Sequence, residues 1–172
     1  VDADEGMTAQ GAHGGGYGVG AAKGRGVVVN KCDLVEKDTN TRAEYTQRIR
    51  QELRFLDSVP VVFTAALNGL RVPKVLEMAL EVAKEREKRI PTAALNAAMQ
   101  DAFVNHSPPS ARGKSLKLLY VTQAGVKPPT FVFFVNDPKL NHFSYQRYLE
   151  NQIRERFGFM GTAIRLLFRA RS

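Results

Sequence analysis

Four residues at the end of a short apolar strand could recognise a purine base. Asn30, Lys31, Cys32 and Asp33 follow directly on the valines at positions 27–29. A carboxylate at position 33 can accept hydrogen bonds from the ring N–H and the exocyclic amine of guanine together, and adenine has no such pair of donors. The Lys31 stem can lie along the face of the base, and the Asn30 amide can bond both the base and neighbouring loops. The pattern predicts guanine binding by Asn30, Lys31 and Asp33.

The position of this motif supports the prediction, because ligands of open α/β sheets bind at the carboxyl ends of the strands. A plainer interpretation stays open, since three fixed residues in four also arise by chance: a turn in which Asp33 caps the segment that follows. The chain contains no Gly-x-x-x-x-Gly-Lys-Ser/Thr and no Gly-x-Gly-x-x-Gly. The sequence therefore offers nothing that would hold the phosphates of a nucleotide.

The composition sets broad limits on the class of protein. A chain of 172 residues can bury one good core or two small ones. Cys32 is the single cysteine, which rules out an internal disulfide and fits a reducing compartment such as the cytoplasm. The three histidines are scattered, so no zinc site is predicted. No apolar run approaches the ~20 residues of a membrane span. A chain that opens on Val rather than Met is expected to be a fragment or a processed product.

The charge is unevenly divided along the chain. Residues 1–110 hold 14 Lys and Arg against 14 Asp and Glu, whereas residues 111–172 hold 11 against 3. The whole net charge of +8 therefore belongs to the last third of the chain. This asymmetry indicates a basic module that meets a polyanion, joined to a neutral one.

An α/β alternation begins after a loop at residues 11–26, where eight of sixteen residues are Gly. Two strands and two helices are predicted in the order strand, helix, strand, helix, which implies a parallel sheet. The second helix is predicted to carry Val75, Leu76, Ala79, Leu80 and Ala83 on one face. The predicted elements cover residues 27–30, 41–56, 59–64 and 72–89.

The remaining residues predict a small α+β domain that begins at Pro91, a residue suited to the start of a helix. The order is α-β-β-α-β, and Gly158 is predicted to cap the second helix. Gly158 and Gly161 also match the Gly-x-x-Gly spelling that clamps nucleotides when it joins two helices, but here it joins a helix to a strand. The predicted elements cover residues 92–105, 115–123, 130–136, 143–157 and 163–171.

Basic side chains share faces of the last two elements. Along the last strand Ile164, Leu166 and Phe168 alternate with arginines, and two further arginines lie on one face of the preceding helix. Because Arg pairs well with phosphate oxygens, the sequence predicts an RNA-backbone surface, while a solvated face with ordinary surface charge is the alternative. The predicted RNA-binding residues are Lys117, Arg147, Arg154, Arg165, Arg169 and Arg171.

Four stretches together resemble a known family: residues 30–33, 63–69, 127–136 and 143–154. They are similar to the C-terminal region of the Der (EngA) family of bacterial GTPases, which have two tandem G domains and a terminal KH-like domain. The resemblance implies that residues 1–89 are the C-terminal half of a Ras-like GTPase domain, a partial parallel sheet without its phosphate-loop half. It also implies that residues 91–172 are a KH-like domain that binds RNA or the ribosome.

The same resemblance implies a function. It implies a cytoplasmic GTPase, bacterial or from an organelle of bacterial descent, that acts in biogenesis of the large ribosomal subunit. GTP or GDP would be the ligand, with Mg²⁺ held only in the intact protein, and upstream G domains and ribosomal RNA would be the partners. Asn30, Lys31 and Asp33 carry over as guanine-binding, and Ala65 and Ala66 correspond to the loop whose backbone N–H meets the guanine oxygen.

The chain departs from the family pattern in ways that bear on activity. The phosphate-binding loop, the magnesium-binding switch Thr and the Asp-x-x-Gly switch are absent, since Asp2 is followed three places later by Glu5. Ala65 stands where the family usually has Ser. We therefore expect no GTP hydrolysis by this chain alone. Two alternatives from other classes are a non-enzymatic RNA-binding adaptor with a vestigial nucleotide domain, and a nucleotide-independent protein-interaction domain.

Overall fold

A computed structural model describes residues 1–3, 22–34, 47, 58–110 and 113–171. The chain divides into two compact units. The first comprises residues 1–85 with 160–162, and the second comprises residues 86–159 with 163–172. The predicted helix at 41–56 and most of the glycine-rich segment lie outside the described residues.

The first unit is built on a two-stranded parallel sheet. Strand β1 (Val27–Val29) pairs with β2 (Val61–Phe63), with Val28 opposite Val62. A short 3-10 helix (Ala66–Asn68) and helix α1 (Val72–Glu87) follow β2. The predicted parallel arrangement is confirmed, although both strands are shorter than the patterns at 27–30 and 59–64 indicated.

The apolar face predicted for α1 is not the face that the helix buries. The helix buries Met78 and Val82, whereas Leu76 is 69% exposed and Leu80 is 64% exposed. The buried residues are spaced four apart, as are the exposed leucines, so two apolar stripes run side by side along the helix. Periodicity alone does not distinguish which of two adjacent stripes packs on the sheet.

The second unit contains two helices and a three-stranded sheet in the predicted order α-β-β-α-β. In chain order the elements are α2 (Thr92–Asn105), β3 (Leu118–Gly125), β4 (Thr130–Val135), α3 (Phe143–Phe157) and β5 (Arg165–Ala170). The strand order is β3-β4-β5, with β3 antiparallel and β5 parallel to the central β4.

Both helices of the second unit pack on one face of its sheet. Along β4, Phe131, Phe133 and Val135 alternate toward the core, as the period of two in a strand requires. Helix α3 presents Tyr145, Leu149 and Ile153 to the same core at intervals of four residues. Helix α2 contributes Leu95, Ala98, Met99 and Ala102. The other face of the sheet carries no described helix of this unit.

The end of α3 was predicted correctly. The Gly158 N–H donates to the Arg154 carbonyl at 2.8 Å, and Gly158 has a φ of 88°. This positive φ favours glycine at the residue that ends a helix. The two glycines do not join two helices, because the chain runs from α3 into β5.

Gly161 is tightly enclosed within the first unit, which makes it sensitive to substitution. It has a φ of +69°, and an added Cβ would lie 2.5 Å from the Arg25 carbonyl oxygen and 2.6 Å from Val82 Cγ2. We expect Gly161→Ala to destabilise the protein by about 2–5 kcal/mol, from backbone strain together with overpacking. Chemical denaturation measures the change.

Gly113 offers a matched control for this substitution. Its φ is +75°, but nothing lies within 4 Å of an added Cβ. Gly113→Ala therefore incurs only the backbone strain, about 1–2 kcal/mol. Equal destabilisation by the two substitutions would contradict the enclosure of Gly161.

Candidate guanine-binding site and basic surfaces

Asn30 and Thr64 lie together because they end neighbouring parallel strands. The Thr64 N–H donates to the Val29 carbonyl at 2.7 Å, and the Cys32 N–H donates to the Thr64 carbonyl at 3.1 Å. Asn30 is further held by residues near the start of the chain, since its N–H donates to the Val1 carbonyl and its carbonyl accepts from Ala3, both at 2.8 Å. The carboxyl ends of β1 and β2 thus form one edge.

The Asn30 side chain ties this edge to the loop after β2. Its Oδ1 accepts from the Ala66 N–H at 2.9 Å and from the Thr64 hydroxyl at 3.2 Å. These bonds direct the amide oxygen toward the loop and leave the NH₂ group as the donor on the other side. An Asn held in this way presents N–H donors, which suit the acceptor atoms on the edge of a purine.

Asp33 is positioned by a residue that the sequence did not single out. Its exposed carboxylate accepts from the Asn68 side-chain amide, with 3.0 Å between Nδ2 and Oδ2. Asn68 ends the 3-10 helix that follows Ala65. A side-chain amide from the loop after β2 therefore contacts the carboxylate that the motif predicts to read guanine.

The remaining predicted guanine-binding residues lie in the same region. Lys31 has a φ of 60°, and its Nζ forms an ion pair with the Asp2 carboxylate at 2.5 Å. Ala65 is buried, and its backbone bonds Leu70 in both directions, at 3.1 and 3.0 Å. The resemblance assigns a backbone N–H of the loop at Ala65 and Ala66 to the guanine oxygen, and in the structure the Ala66 N–H donates to Asn30 Oδ1. All five predicted residues thus surround the carboxyl ends of β1 and β2.

The predicted RNA-binding residues do not form one surface. Arg165 and Arg169 are exposed on the face of the sheet opposite the helices, and exposed Arg171 continues the alternation. Arg147 lies on α3, on the other side of the sheet, with its guanidinium 5.9 Å from the centre of the Phe143 ring. Lys117 is exposed just before β3.

Arg154 belongs to the fold rather than to an open surface. Its guanidinium pairs with the Glu150 carboxylate at 2.8 Å and donates to the Phe159 carbonyl at 2.9 Å. Only 17% of the side chain is exposed. Because these contacts secure the end of α3, Arg154 is poorly placed to bind phosphate.

The described part of the chain shows neither a metal-binding cluster nor a membrane-spanning helix. No cluster of three His, Cys, Asp or Glu side chains there could hold a metal ion. Among the described helices none has the length and apolar character needed to cross a bilayer.

Comparison with known proteins identifies the second unit. Residues 89–169 match a family model described as the KH-domain-like, C-terminal domain of EngA bacterial GTPase enzymes. The α-β-β-α-β module is therefore similar to the KH-domain-like domain at the C-terminus of the EngA GTPases.

The rest of the chain extends this match. It is 48% identical over 172 residues to GTPase Der of Alkaliphilus metalliredigens and 49% identical over 172 residues to GTPase Der of Pelotomaculum thermopropionicum. In both comparisons all of this chain aligns, with 39% of the relative's length. Over its whole length, the chain matches the C-terminal region of the Der (EngA) GTPases, which confirms the resemblance found in the sequence.

A structural comparison adds little to the sequence match. The crystal structure of a point variant of Aquifex aeolicus Era bound to GDP·AlF4⁻ aligns with 99% of this chain and 64% of its own, at 12% identity and a TM-score of 0.40.

Proposed function

We propose that this chain is the guanine-reading and RNA-contacting part of a Der-type GTPase. The observation that carries the proposal is a set of three hydrogen bonds across the strand ends: Asn30 accepts from Ala66 and Thr64, and Asp33 accepts from Asn68. These contacts hold the Asn30 amide and the Asp33 carboxylate at one edge of the sheet, where ligands of α/β sheets bind. A carboxylate there can accept from the two adjacent N–H groups of guanine.

The base would be bound by a division of roles. Asp33 would accept from the ring N–H and the exocyclic amine, while the Asn30 NH₂ would donate to an acceptor on the other side of the base. The Ala66 N–H, which donates to Asn30 Oδ1 in the structure, would donate to the guanine carbonyl oxygen instead of, or together with, that bond. Lys31 would leave Asp2 to lie over the base. GTP or GDP is thus the proposed ligand.

Hydrolysis is assigned to the intact protein. This chain spans about 39% of the length of its relatives, and its sequence contains no phosphate-binding loop. We propose that upstream G-domain residues bind the phosphates and the metal, and that the protein acts in the cytoplasm on the large ribosomal subunit.

A nucleotide titration tests the guanine site. The chain should bind GDP with measurable heat in isothermal titration calorimetry and bind ADP at least about 100-fold more weakly, because adenine lacks the donor pair. Equal binding of both nucleotides would contradict base recognition by Asp33. No binding of either would favour the alternative, an RNA-binding adaptor with a vestigial nucleotide domain.

Asn68→Ala should weaken this selectivity without abolishing it. The Asn68 amide restricts the Asp33 carboxylate to one orientation, and a hydrogen bond to a charged group contributes about 1.5–3 kcal/mol. Because an exposed carboxylate keeps part of its solvation, we expect a loss near the lower limit, about ten-fold in GDP affinity. ADP affinity should not change, which separates positioning of Asp33 from loss of folding. Equal weakening of both nucleotides would contradict the positioning role.

The RNA contact is tested by reversing two charges on one sheet face. Arg165→Glu with Arg169→Glu should weaken binding to ribosomal RNA by about ten-fold or more at about 0.1 M salt, because phosphate contacts dominate such binding. The slope of log affinity against log salt should fall by about two. Lys74→Glu with Lys84→Glu, both exposed on α1, changes the net charge equally and should have a much smaller effect. Equal effects of both pairs would contradict a specific surface.

A further inference from the structure

The sheet face opposite the helices carries two aromatic rings that the core does not use. Tyr120 on β3 and Phe134 on β4 are paired across the strands, and their rings stack with 4.3 Å between centroids and 14° between planes. Tyr120 is 41% exposed, and Phe134 is half-buried. Neither belongs to the buried core cluster that binds the helices to the sheet.

The arginines of β5 lie in register with this pair. Arg169 is opposite Phe134, which is opposite Tyr120, so one row across the sheet reads arginine, phenylalanine, tyrosine. The row two residues away along β5 contains Leu167, which is 41% exposed, and the next contains Arg165. We call the surface formed by Tyr120, Phe134, Arg165, Leu167 and Arg169 the outer sheet face.

The positive charge of the outer sheet face favours some binding partners over others. Strands β3, β4 and β5 contain no Asp or Glu, so nothing on the strands themselves offsets the two arginines. A second copy of the same face would bring arginines against arginines, which costs binding energy. A polyanion is complementary to the arginines, and one with planar groups is also complementary to the rings.

We propose that the outer sheet face binds single-stranded RNA, with bases stacked on the Tyr120–Phe134 pair and phosphates on Arg165 and Arg169. The inference rests on the proposed RNA contact and names its site and the form of RNA. Duplex RNA keeps its bases stacked inside the helix, so only unpaired nucleotides can extend an aromatic stack. Tyr120 lies on an edge strand of the described sheet, where an incoming base can continue the stack.

A comparison of single-stranded and duplex RNA tests the proposal. The full chain is titrated with a fluorescein-labelled single strand of roughly 12 nucleotides and with its duplex. Tyr120→Leu with Phe134→Leu should lower the affinity for the single strand about ten-fold and leave the duplex affinity within about two-fold, with an unchanged salt slope. Arg169→Gln should instead lower the slope by about one.

Phe143→Leu is the matched control, because Phe143 is 74% exposed in the same unit but lies on α3, away from the outer sheet face. It should leave both affinities unchanged. If the double leucine variant folds and retains the single-strand preference, the proposal is overturned and the face is left to a protein partner. If the unaltered chain binds neither RNA, the proposed RNA contact fails as a whole.

A spectroscopic probe keeps the test independent of any loss of stability. The chain contains no Trp, so Tyr120→Trp introduces the sole indole. Its fluorescence should be quenched on addition of the unlabelled single strand and should change little with the duplex. An emission that stays constant while the labelled strand is seen to bind would overturn stacking at this position.

Discussion

Asp33→Asn should reduce the affinity for GDP by at least about 100-fold, because it exchanges an acceptor of two charge-assisted hydrogen bonds for a neutral amide. One amide oxygen can still accept, but the NH₂ group then faces a donor of the base and leaves it unpaired. The affinity for ADP should stay at its low value. The measurement is a competition titration of both nucleotides against a fluorescent guanosine analogue.

Xanthosine diphosphate provides the control for this result. Xanthine carries a carbonyl where guanine carries the exocyclic amine, so the Asn amide at position 33 can donate to it while accepting from the ring N–H. The same variant should therefore bind xanthosine diphosphate more tightly than the unaltered chain does. An Asp33→Asn protein that still prefers GDP would show that another group reads the base, and the motif would be only a strand-end turn.

The guanine site illustrates what the sequence could and could not predict. The motif at residues 30–33 named Asp33, because its residue types and its place after the valines are local features. It did not name Asn68, whose amide meets Asp33 across 35 positions of the chain. That contact exists because β1 and β2 are parallel and end at the same edge. No periodicity or spacing in the sequence predicts the contact between Asn68 and Asp33.

The elements of the second unit were predicted more closely than those of the first. Helix α3 spans the predicted residues because Tyr145, Leu149 and Ile153 form a single stripe and Gly158 ends it. Helix α1 carries two apolar stripes, so periodicity did not show which of them is buried. Composition likewise indicated a basic surface but did not separate Arg154, which pairs within α3, from Arg165 and Arg169 on the opposite side of the sheet.

Phe131→Ala should destabilise the second unit by about 3–5 kcal/mol. Phe131 is fully buried at the centre of the sheet, and its ring packs edge-to-face against Phe159 with 5.7 Å between centroids. Removing it leaves a cavity bounded by elements that cannot all move inward. Phe143→Ala makes the same chemical change at a residue that is 74% exposed, and should cost no more than about 0.5 kcal/mol. Urea denaturation followed by circular dichroism measures both.

The number of unfolding transitions also tests whether the two predicted domains, divided at residues 89–91, unfold independently. If the two halves unfold separately, Phe131→Ala lowers only the transition of the KH-like half. GDP in excess should raise only the other transition, since a ligand stabilises the part of the protein that binds it. A single transition that responds to both changes would instead mean that the halves fold as one cooperative unit. In that case GDP would also protect the part that carries the outer sheet face against unfolding, because the two parts would unfold together.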